Sequence, residues 1–313
     1  MRGFWSGSSS LEDQPCRALR LVESFKSSSE AIIPPNEIQA GIYLMKLELE
    51  RLRQCADYNL AVCVLASGSK GNAIYISDGF TAILIDAGLS ATEIKRRLKS
   101  RGLNPRDLNA ILVTHEHSDH IQAVGVLSRQ LKLPIYLNRN IKKKISNRNS
   151  LHEIRTFNSG STFQINNLAV HPFAVSHDAA DPVGFTIGQN GSRIGVATDL
   201  GTVTPHVKEN LKHCHLLILE ANHDPDMLIN GPYPWYLKRR IQSRSGHLSN
   251  GQSKRLLMEL QHTGLEHVIL AHLSQTNNAP QKVLAEVSEA LTRCQPRLTV
   301  ASQHRCGEVI YLK

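Results

Sequence analysis

The densest group of ionisable side chains in the sequence lies at residues 115–120, which read HEHSDH. This group follows the apolar run AILV, with only Thr114 between them. Left alone, such a cluster is costly to bury, because charged groups lose hydration and protonated imidazoles repel one another. Neutral imidazoles and a carboxylate are, however, ligands for a borderline divalent metal. The spacing therefore predicts a metal centre in which His115 and His117 share one ion, while Asp119 and His120 bind a second.

Further polar residues also end strand-like runs. From residue 59 onward, short apolar strands alternate with helical segments, which predicts an α/β fold. Asp199 ends RIGVAT, Glu220 ends LLIL and His272 ends HVILA. Ligands bind beyond the carboxyl ends of strands in open α/β sheets, so we expect these separated residues to converge with residues 115–120.

The helical segments show start and stop signals. Ser90 and Glu93 form a predicted capping box, and Gly102 ends that helix. A second helix is predicted over about residues 119–131. Four more are predicted near residues 205–213, 233–243, 250–262 and 280–292.

Composition indicates an ordinary globular protein, with 313 residues, 41% of them hydrophobic and 20% charged. The six cysteines are scattered without a CxxC pair, which favours a reducing compartment over a disulfide framework. No apolar run approaches the roughly 20 residues that span a membrane. We therefore expect a cytoplasmic protein without a membrane partner.

Residues 1–58 differ from the remainder, with Ser-rich stretches and no apolar core of a secretory signal. They are predicted to be a poorly ordered extension of a catalytic domain at residues 59–313. A transit peptide, or a start of translation at Met45, are the alternatives.

The net charge of +9 comes from residues after this extension, because residues 1–59 hold seven basic against eight acidic side chains. Basic runs lie at residues 95–101, 139–144 and 238–244. A basic surface favours polyanions such as nucleic acid. Solvated helix faces explain the charge equally well, so charge alone leaves both interpretations open.

HxHxDH, VSHDAADPVGF, GVATDLG and LAHLSQTNN occur in this order and resemble the metallo-β-lactamase fold. The resemblance covers residues 60–313 and implies a four-layer αββα sandwich with two divalent metal ions. It implies that His177 is the third ligand of the first metal, that Asp199 bridges both, and that His272 is the last ligand of the second. Such ligands suit Zn²⁺ or Mn²⁺.

VLASGSKGN, EANHDPDML, GPYPW and GHLSNGQ are similar to the YycJ group, also called WalJ or VicX, within this fold. That group is associated with 5′→3′ exonuclease activity on DNA. The resemblance implies a metal-dependent phosphodiester hydrolase whose substrate is DNA. The alternatives are a small-molecule (cyclic phosphate) phosphodiesterase and a non-catalytic metal-binding regulatory protein. Relatives of this fold often dimerise, so a homodimer is an open expectation.

The ligand set predicts the chemistry. Two cations about 3.5–4 Å apart would activate a water and neutralise phosphate oxygens. Asp119 would also accept a hydrogen bond from the nucleophile. His247 is the candidate proton donor, oriented by Glu220, although it could instead only cap or pack.

Five residues are candidates for substrate binding. Asn222 and His223 follow Glu220 into the predicted crevice and are candidate phosphate contacts, with structural roles as the alternative. Ser67, Ser69 and Asn72 lie in a Gly/Ser loop that could cradle a phosphate with its N–H groups. The same loop could be only a tight turn.

Overall fold

The computed structural model describes residues 58–142, residue 145 and residues 151–313, which belong to one unit, Asp57–Lys313. Residues 1–57 of the predicted N-terminal extension, including the alternative start at Met45, lie outside the described residues. So do Lys143 and Lys144 of the second basic run. The predicted domain boundary, the cytoplasmic location and the homodimer stay predictions.

Fourteen strands form two seven-stranded sheets among the described residues. The first sheet has the order β14–β1–β2–β3–β4–β5–β6, and the second has the order β13–β12–β11–β10–β9–β8–β7. The strands of the first sheet are β1 (Leu60–Ala66), β2 (Ala73–Ser77), β3 (Ala82–Ile85), β4 (Leu108–Leu112), β5 (Pro134–Asn138), β6 (Glu153–Phe157) and β14 (Ile310–Leu312). Those of the second are β7 (Phe163–Ile165), β8 (Leu168–Ala174), β9 (Val183–Gln189), β10 (Ser192–Ala197), β11 (Leu216–Glu220), β12 (His267–Ala271) and β13 (Arg297–Val300).

Eight α-helices and one 3₁₀ turn (Pro105–Asp107) connect these strands in the described residues. The helices are α1 (Ala91–Ser100), α2 (Ser118–Ile121), α3 (Val124–Leu131), α4 (Pro205–Leu211), α5 (Pro225–Asn230), α6 (Trp235–Gln242), α7 (Asn250–Leu260) and α8 (Pro280–Ser288).

Three apolar clusters define four layers. The central cluster packs the two sheets together and includes Ile83 of β3 and Phe185 of β9, both fully buried. A second cluster joins the first sheet to α1 and α3, for example through Ile94 and Leu127. A third joins the second sheet to α4, α7 and α8. Burial of apolar surface on both faces of each sheet therefore produces the predicted αββα sandwich, which is confirmed.

Two helix predictions need correction. The helix predicted over residues 119–131 is two helices, α2 and α3, separated at Gln122 and Ala123. The Ala123 N–H donates to the Ala87 carbonyl, and the Ala87 N–H donates to the His120 carbonyl, so contacts with the loop after β3 break the helix. Ser90 does cap α1, but the Glu93 carboxylate accepts hydrogen bonds from Arg96 and Arg97 instead of completing a capping box.

The other four predicted helices are confirmed as α4, α6, α7 and α8, each ending one to four residues earlier than predicted. Ser249 and Gln252 form the capping box of α7. Within the described part of the chain, no helix has the length and apolar character needed to cross a membrane.

Candidate metal centre and catalytic pocket

The predicted polar residues converge at the carboxyl ends of two groups of parallel strands. β3 and β4 are parallel neighbours in the first sheet, and β10, β11 and β12 are parallel neighbours in the second. Candidate residues follow or end β4, β10, β11 and β12, and several of them line one cavity of about 280 Å³. Its lining includes Asp119, Asp199, His247 and His272.

Three residues at these strand ends have left-handed backbone conformations. Asp86, Asp199 and His272 have φ values of 60°, 55° and 57°. Residues other than glycine pay a conformational cost there, of about 1–2 kcal/mol. Such strain persists where the surrounding structure holds it and clusters at functional sites.

The first group of nitrogen atoms belongs to three histidines. His115 Nε2 lies 3.0 Å from His117 Nδ1, and His177 Nε2 lies 3.3 Å from the same atom. His115 and His177 are buried and His117 is partly exposed. The three atoms are close enough together to hold one cation, and their role as metal ligands stays a prediction.

The second group consists of Asp119, His120 and His272. His120 Nε2 lies 3.5 Å and His272 Nε2 lies 3.8 Å from Asp119 Oδ2. The buried Asp199 carboxylate lies between the two groups, because its oxygens are 3.7 Å from His177 Nε2 and 3.2 Å from His120 Nε2. Asp199 is therefore within reach of both groups, and its bridging role stays a prediction.

Two buried atoms in this cluster fit a cation particularly well. Asp199 Oδ2 and His272 Nε2 are inaccessible to solvent and have no hydrogen-bond partner among the described residues. A buried polar atom without a partner costs about 1–3 kcal/mol. A carboxylate oxygen and an imidazole nitrogen are both metal ligands, so the donor set satisfies the fold's requirement for a divalent cation.

Neighbouring groups turn the nitrogen atoms of the histidines toward the cluster. Asp86 Oδ2 lies 2.7 Å from His120 Nδ1, and Glu220 Oε1 lies 3.1 Å from His272 Nδ1. The Gly246 carbonyl oxygen lies 3.2 Å from His177 Nδ1. Each acceptor can accept a hydrogen bond from Nδ1–H and leave Nε2 as the ligand atom, which is the usual arrangement around protein-bound metals.

The pKa values reflect the mixture of burial and charge. Burial lowers the pKa of His120, but Asp199 and Asp86 outweigh burial and raise it well above its usual value. Burial is likewise outweighed at His272, where Asp199 and Asp119 raise the pKa to about 10. Burial and then His120 lower the pKa of His115 well below its usual value, although Asp199 raises it. The carboxylates thus create a strongly negative potential that favours a cation.

His247 lines the cavity and forms a hydrogen-bonded pair with Glu220. His247 Nδ1 lies 2.7 Å from Glu220 Oε1, and the His247 ring stacks on His272 with centroids 5.2 Å apart. Glu220 is fully buried, and its Oε2 accepts hydrogen bonds from the Leu200 and Leu248 N–H groups. Glu220 therefore fixes the orientation of His247, and the proton-donor role of His247 stays a prediction.

The Gly/Ser loop supports the site more than it opens toward substrate. Ser67 Oγ accepts the His272 N–H at 2.8 Å, and Asn72 Nδ2 lies 3.4 Å from Asp119 Oδ2. Both residues are buried, and only Ser69 of the three predicted contacts lines the cavity. The N–H groups of Gly68, Lys70, Gly71 and Asn72 already donate within the protein, so they do not form an open phosphate cradle.

Asn222 and His223 separate after β11. Asn222 lines the cavity, and its Nδ2 donates to the His272 carbonyl at 2.9 Å. His223 is buried and its backbone forms an isolated β-bridge with Ser249. It is not part of the cavity wall. Burial lowers the pKa of His223 to about 4. The structure therefore brings only Asn222 of this pair to the predicted crevice.

Sequence reasoning missed Asp86 and Thr114. Asp86 accepts the Thr114 N–H at 2.9 Å and the Thr114 hydroxyl at 2.8 Å, besides contacting His120. The signal was present, because Asp86 follows the apolar strand AILI just as Asp199 follows β10. A carboxylate directly after a buried strand was the pattern to extend.

Close backbone packing also positions the cluster. A Cβ added to Gly88 would lie 1.6 Å from the Asp119 carbonyl oxygen. The loop after β3 can approach α2 only because this residue is glycine. Backbone hydrogen bonds flank this contact, because the Gly88 N–H donates to the Asn72 carbonyl and the Ala87 N–H donates to the His120 carbonyl.

A family profile described as "Beta-lactamase superfamily domain" matches residues 81–273 of the chain. The exodeoxyribonuclease YycJ of Bacillus anthracis is 37% identical over 231 residues, which are 73% of this chain and 88% of that protein. The exodeoxyribonuclease WalJ of Streptococcus pneumoniae serotype 2 (strain D39 / NCTC 7466) is 36% identical over 220 residues, covering 69% and 82%. The metallo-β-lactamase fold protein YhfI from Bacillus subtilis has a TM-score of 0.64 at 17% identity, covering 80% of this chain and 98% of that one. The YhfI match supports the fold alone.

Proposed function

Since the chain belongs to the metallo-β-lactamase superfamily, we propose that it is a metal-dependent phosphodiester hydrolase that degrades DNA as a 5′→3′ exonuclease. The observation that carries the proposal is the arrangement of the cavity. Two groups of metal-binding side chains meet at Asp199, with the His247–Glu220 pair beside them.

The ligands fall into two sets. His115, His117 and His177 would hold one divalent cation, and Asp119, His120 and His272 would hold the other, with Asp199 shared. Zn²⁺ and Mn²⁺ both suit these ligands. When bound, such cations offset the charge on phosphate oxygens and lower the pKa of a coordinated water.

The protein's own residues orient the remaining chemistry. Asp119 lines the cavity, where its carboxylate can accept a hydrogen bond from the attacking water. His247 donates a proton from Nε2 to the deoxyribose oxygen that leaves phosphorus, because its Nδ1 is committed to Glu220. General acid catalysis of this kind contributes typically about 10²–10⁴-fold.

DNA is the proposed substrate for two reasons. The YycJ and WalJ relatives are exodeoxyribonucleases, and both align with more than two thirds of this chain. Arg240 of the third basic run also lines the cavity, where it can help to neutralise a polyanion.

The test is digestion of oligonucleotides labelled at either end, single- or double-stranded, by the purified protein with added Mn²⁺. We expect progressive shortening from the 5′-phosphorylated end, and no shortening with an Asp119→Ala/His120→Ala variant. Intact DNA and RNA together with metal-dependent turnover of small phosphodiesters would replace this proposal with a cyclic phosphodiesterase. Metal binding without turnover of bis(p-nitrophenyl) phosphate would indicate a regulatory protein.

A further inference from the structure

Helix α6 connects the cavity to an exposed aromatic surface. Leu237, Arg240 and Ile241 line the cavity from this helix. Arg240 Nε bonds to Asp178 Oδ2 at 2.5 Å, and Asp178 Oδ1 lies 3.3 Å from His177 Nε2. The helix is thereby fixed beside a predicted metal ligand.

Tyr236 stands out on this helix. Its side chain is 76% exposed, the highest value among the large apolar and aromatic residues described. It has no ring contact or hydrogen bond among the described residues, whereas the Trp235 ring is covered by Lys238 Nζ at 5.3 Å. Because Tyr236 and Arg240 are four residues apart, they are neighbours on the helix surface at the cavity rim.

The segment that contains Tyr236 is basic. Residues 232–250 contain four basic side chains and no aspartate or glutamate. Arg239 and Arg244 are exposed and form no ion pair within the described residues. Arg240 is paired through Nε alone, which leaves the outer nitrogens of its guanidinium for another acceptor. This surface suits phosphates on one side and the flat face of a base on the other.

We propose that Tyr236 stacks on an unpaired base while Arg239, Arg240 and Arg244 contact the phosphates beside it, so that α6 holds single-stranded DNA next to the cavity. This inference rests on the proposed function and specifies its substrate. Within a duplex the base faces are already stacked, so an aromatic ring can reach the face of an internal base only in a single strand. Stacking of this kind is sequence-tolerant, because every base has such a face.

The test combines protein variants with abasic substrates. We measure kcat/KM for Mn²⁺-dependent digestion of 5′-phosphorylated 12-nucleotide single strands, with one base at a time removed near the 5′ end. Tyr236→Ala is expected to lower kcat/KM on the intact strand about ten-fold. The factor of this loss should be at least about five times the factor lost on bis(p-nitrophenyl) phosphate. At one abasic position, the kcat/KM of the wild type should fall to that of Tyr236→Ala on the intact strand. The kcat/KM of Tyr236→Ala should not fall further when that base is removed.

Two controls define the comparison. Tyr236→Phe keeps the ring and should retain most of the activity on the single strand. Phe80→Ala removes another exposed ring, 47% exposed, from the opposite end of the first sheet and should leave both activities unchanged. Values for Tyr236→Ala within two-fold of wild type on the single strand would overturn the inference, and so would equal losses at every abasic position.

Failure of the proposed function is distinguishable from failure of this inference. If the wild type digests DNA and Tyr236→Ala digests it equally well, only the inference fails. If the wild type digests no DNA, fluorescence anisotropy with the same single strands decides. Binding that Tyr236→Ala weakens would retain the inference, and binding unaffected by the substitution would end it.

Discussion

The floor and the rim of the cavity are built in opposite ways. The floor is the cluster of His115, His120, Asp199 and His272, all at most 3% exposed and surrounded by hydrogen-bonded supports. The rim at α6 exposes Tyr236 and has spare donors on Arg240. The difference indicates that the two regions have different roles. The buried, hydrogen-bonded floor would act in the same way on any phosphodiester. An exposed rim acts only on substrates long enough to reach it.

The strongest way to break this comparison is Asp199→Asn. An amide cannot replace a carboxylate between the two groups of histidines, so kcat/KM should fall at least about 10³-fold on both DNA and bis(p-nitrophenyl) phosphate. Steady-state kinetics and metal analysis of the purified variant measure this. Asp107→Asn, before β4 and therefore at the opposite end of the sheet, is the matched control and should behave as wild type. Retained turnover by Asp199→Asn would disprove the role of the floor.

His247→Asn sharpens the comparison at a residue of the cavity wall beside the floor. Loss of the proton donor should lower kcat on DNA by about 10²–10³-fold. The loss on bis(p-nitrophenyl) phosphate should be much smaller, because p-nitrophenolate leaves without a proton. His206→Asn on α4 is an exposed histidine control. An equal loss on the two substrates would make His247 a packing residue.

Asp86→Asn tests the support beneath the floor. The carboxylate accepts three hydrogen bonds, from Thr114 and His120, and an amide group accepts fewer. Loss of such an orienting partner typically weakens metal binding about 10–100-fold. Competition with a chelator of known affinity measures the change. Wild-type affinity in this variant would show that His120 needs no carboxylate to orient it.

The smallest effect is expected at a pair remote from both regions. Arg96 and then Arg97 lower the pKa of Glu93 to about 2 from 4.5. A lowered folded-state pKa stabilises the fold above pH 4.5, and the contribution disappears as pH falls toward 2. Glu93→Gln should cost about 0.5–1 kcal/mol in the free energy of unfolding at pH 7, since the Glu93 side chain is 30% exposed. Urea unfolding should show most of that difference gone by about pH 3, and a constant difference would contradict it.

Patterns local in sequence predicted much of the floor. Strand-end positions identified Asp199, Glu220 and His272, because buried strands have unmistakable apolar runs and parallel strands end at one edge. The residues of HxHxDH were expected to lie close together, because the motif is only six residues long. The αββα layering followed from the alternation of strands and helices together with the family resemblance.

Contacts between distant segments were beyond those patterns. Asp86 reaches His120 across 34 residues, and its hydrogen bonds exist only after β3 and β4 pair. The break between α2 and α3 comes from hydrogen bonds to Ala87. Ala87 lies outside the helical segment, so the periodicity of that segment does not predict the break. His223 follows Glu220 by only three residues, yet the turn after β11 directs it into the bridge to Ser249.

One measurement tests the division between floor and rim most directly, namely the ratio of kcat/KM on single-stranded DNA to kcat/KM on bis(p-nitrophenyl) phosphate for two variants. Asp199→Asn should lower both values by the same large factor and leave the ratio near that of the wild type. Tyr236→Ala should lower the ratio at least five-fold. Equal ratios in both variants, or small-phosphodiester turnover that survives Asp199→Asn, would contradict the account.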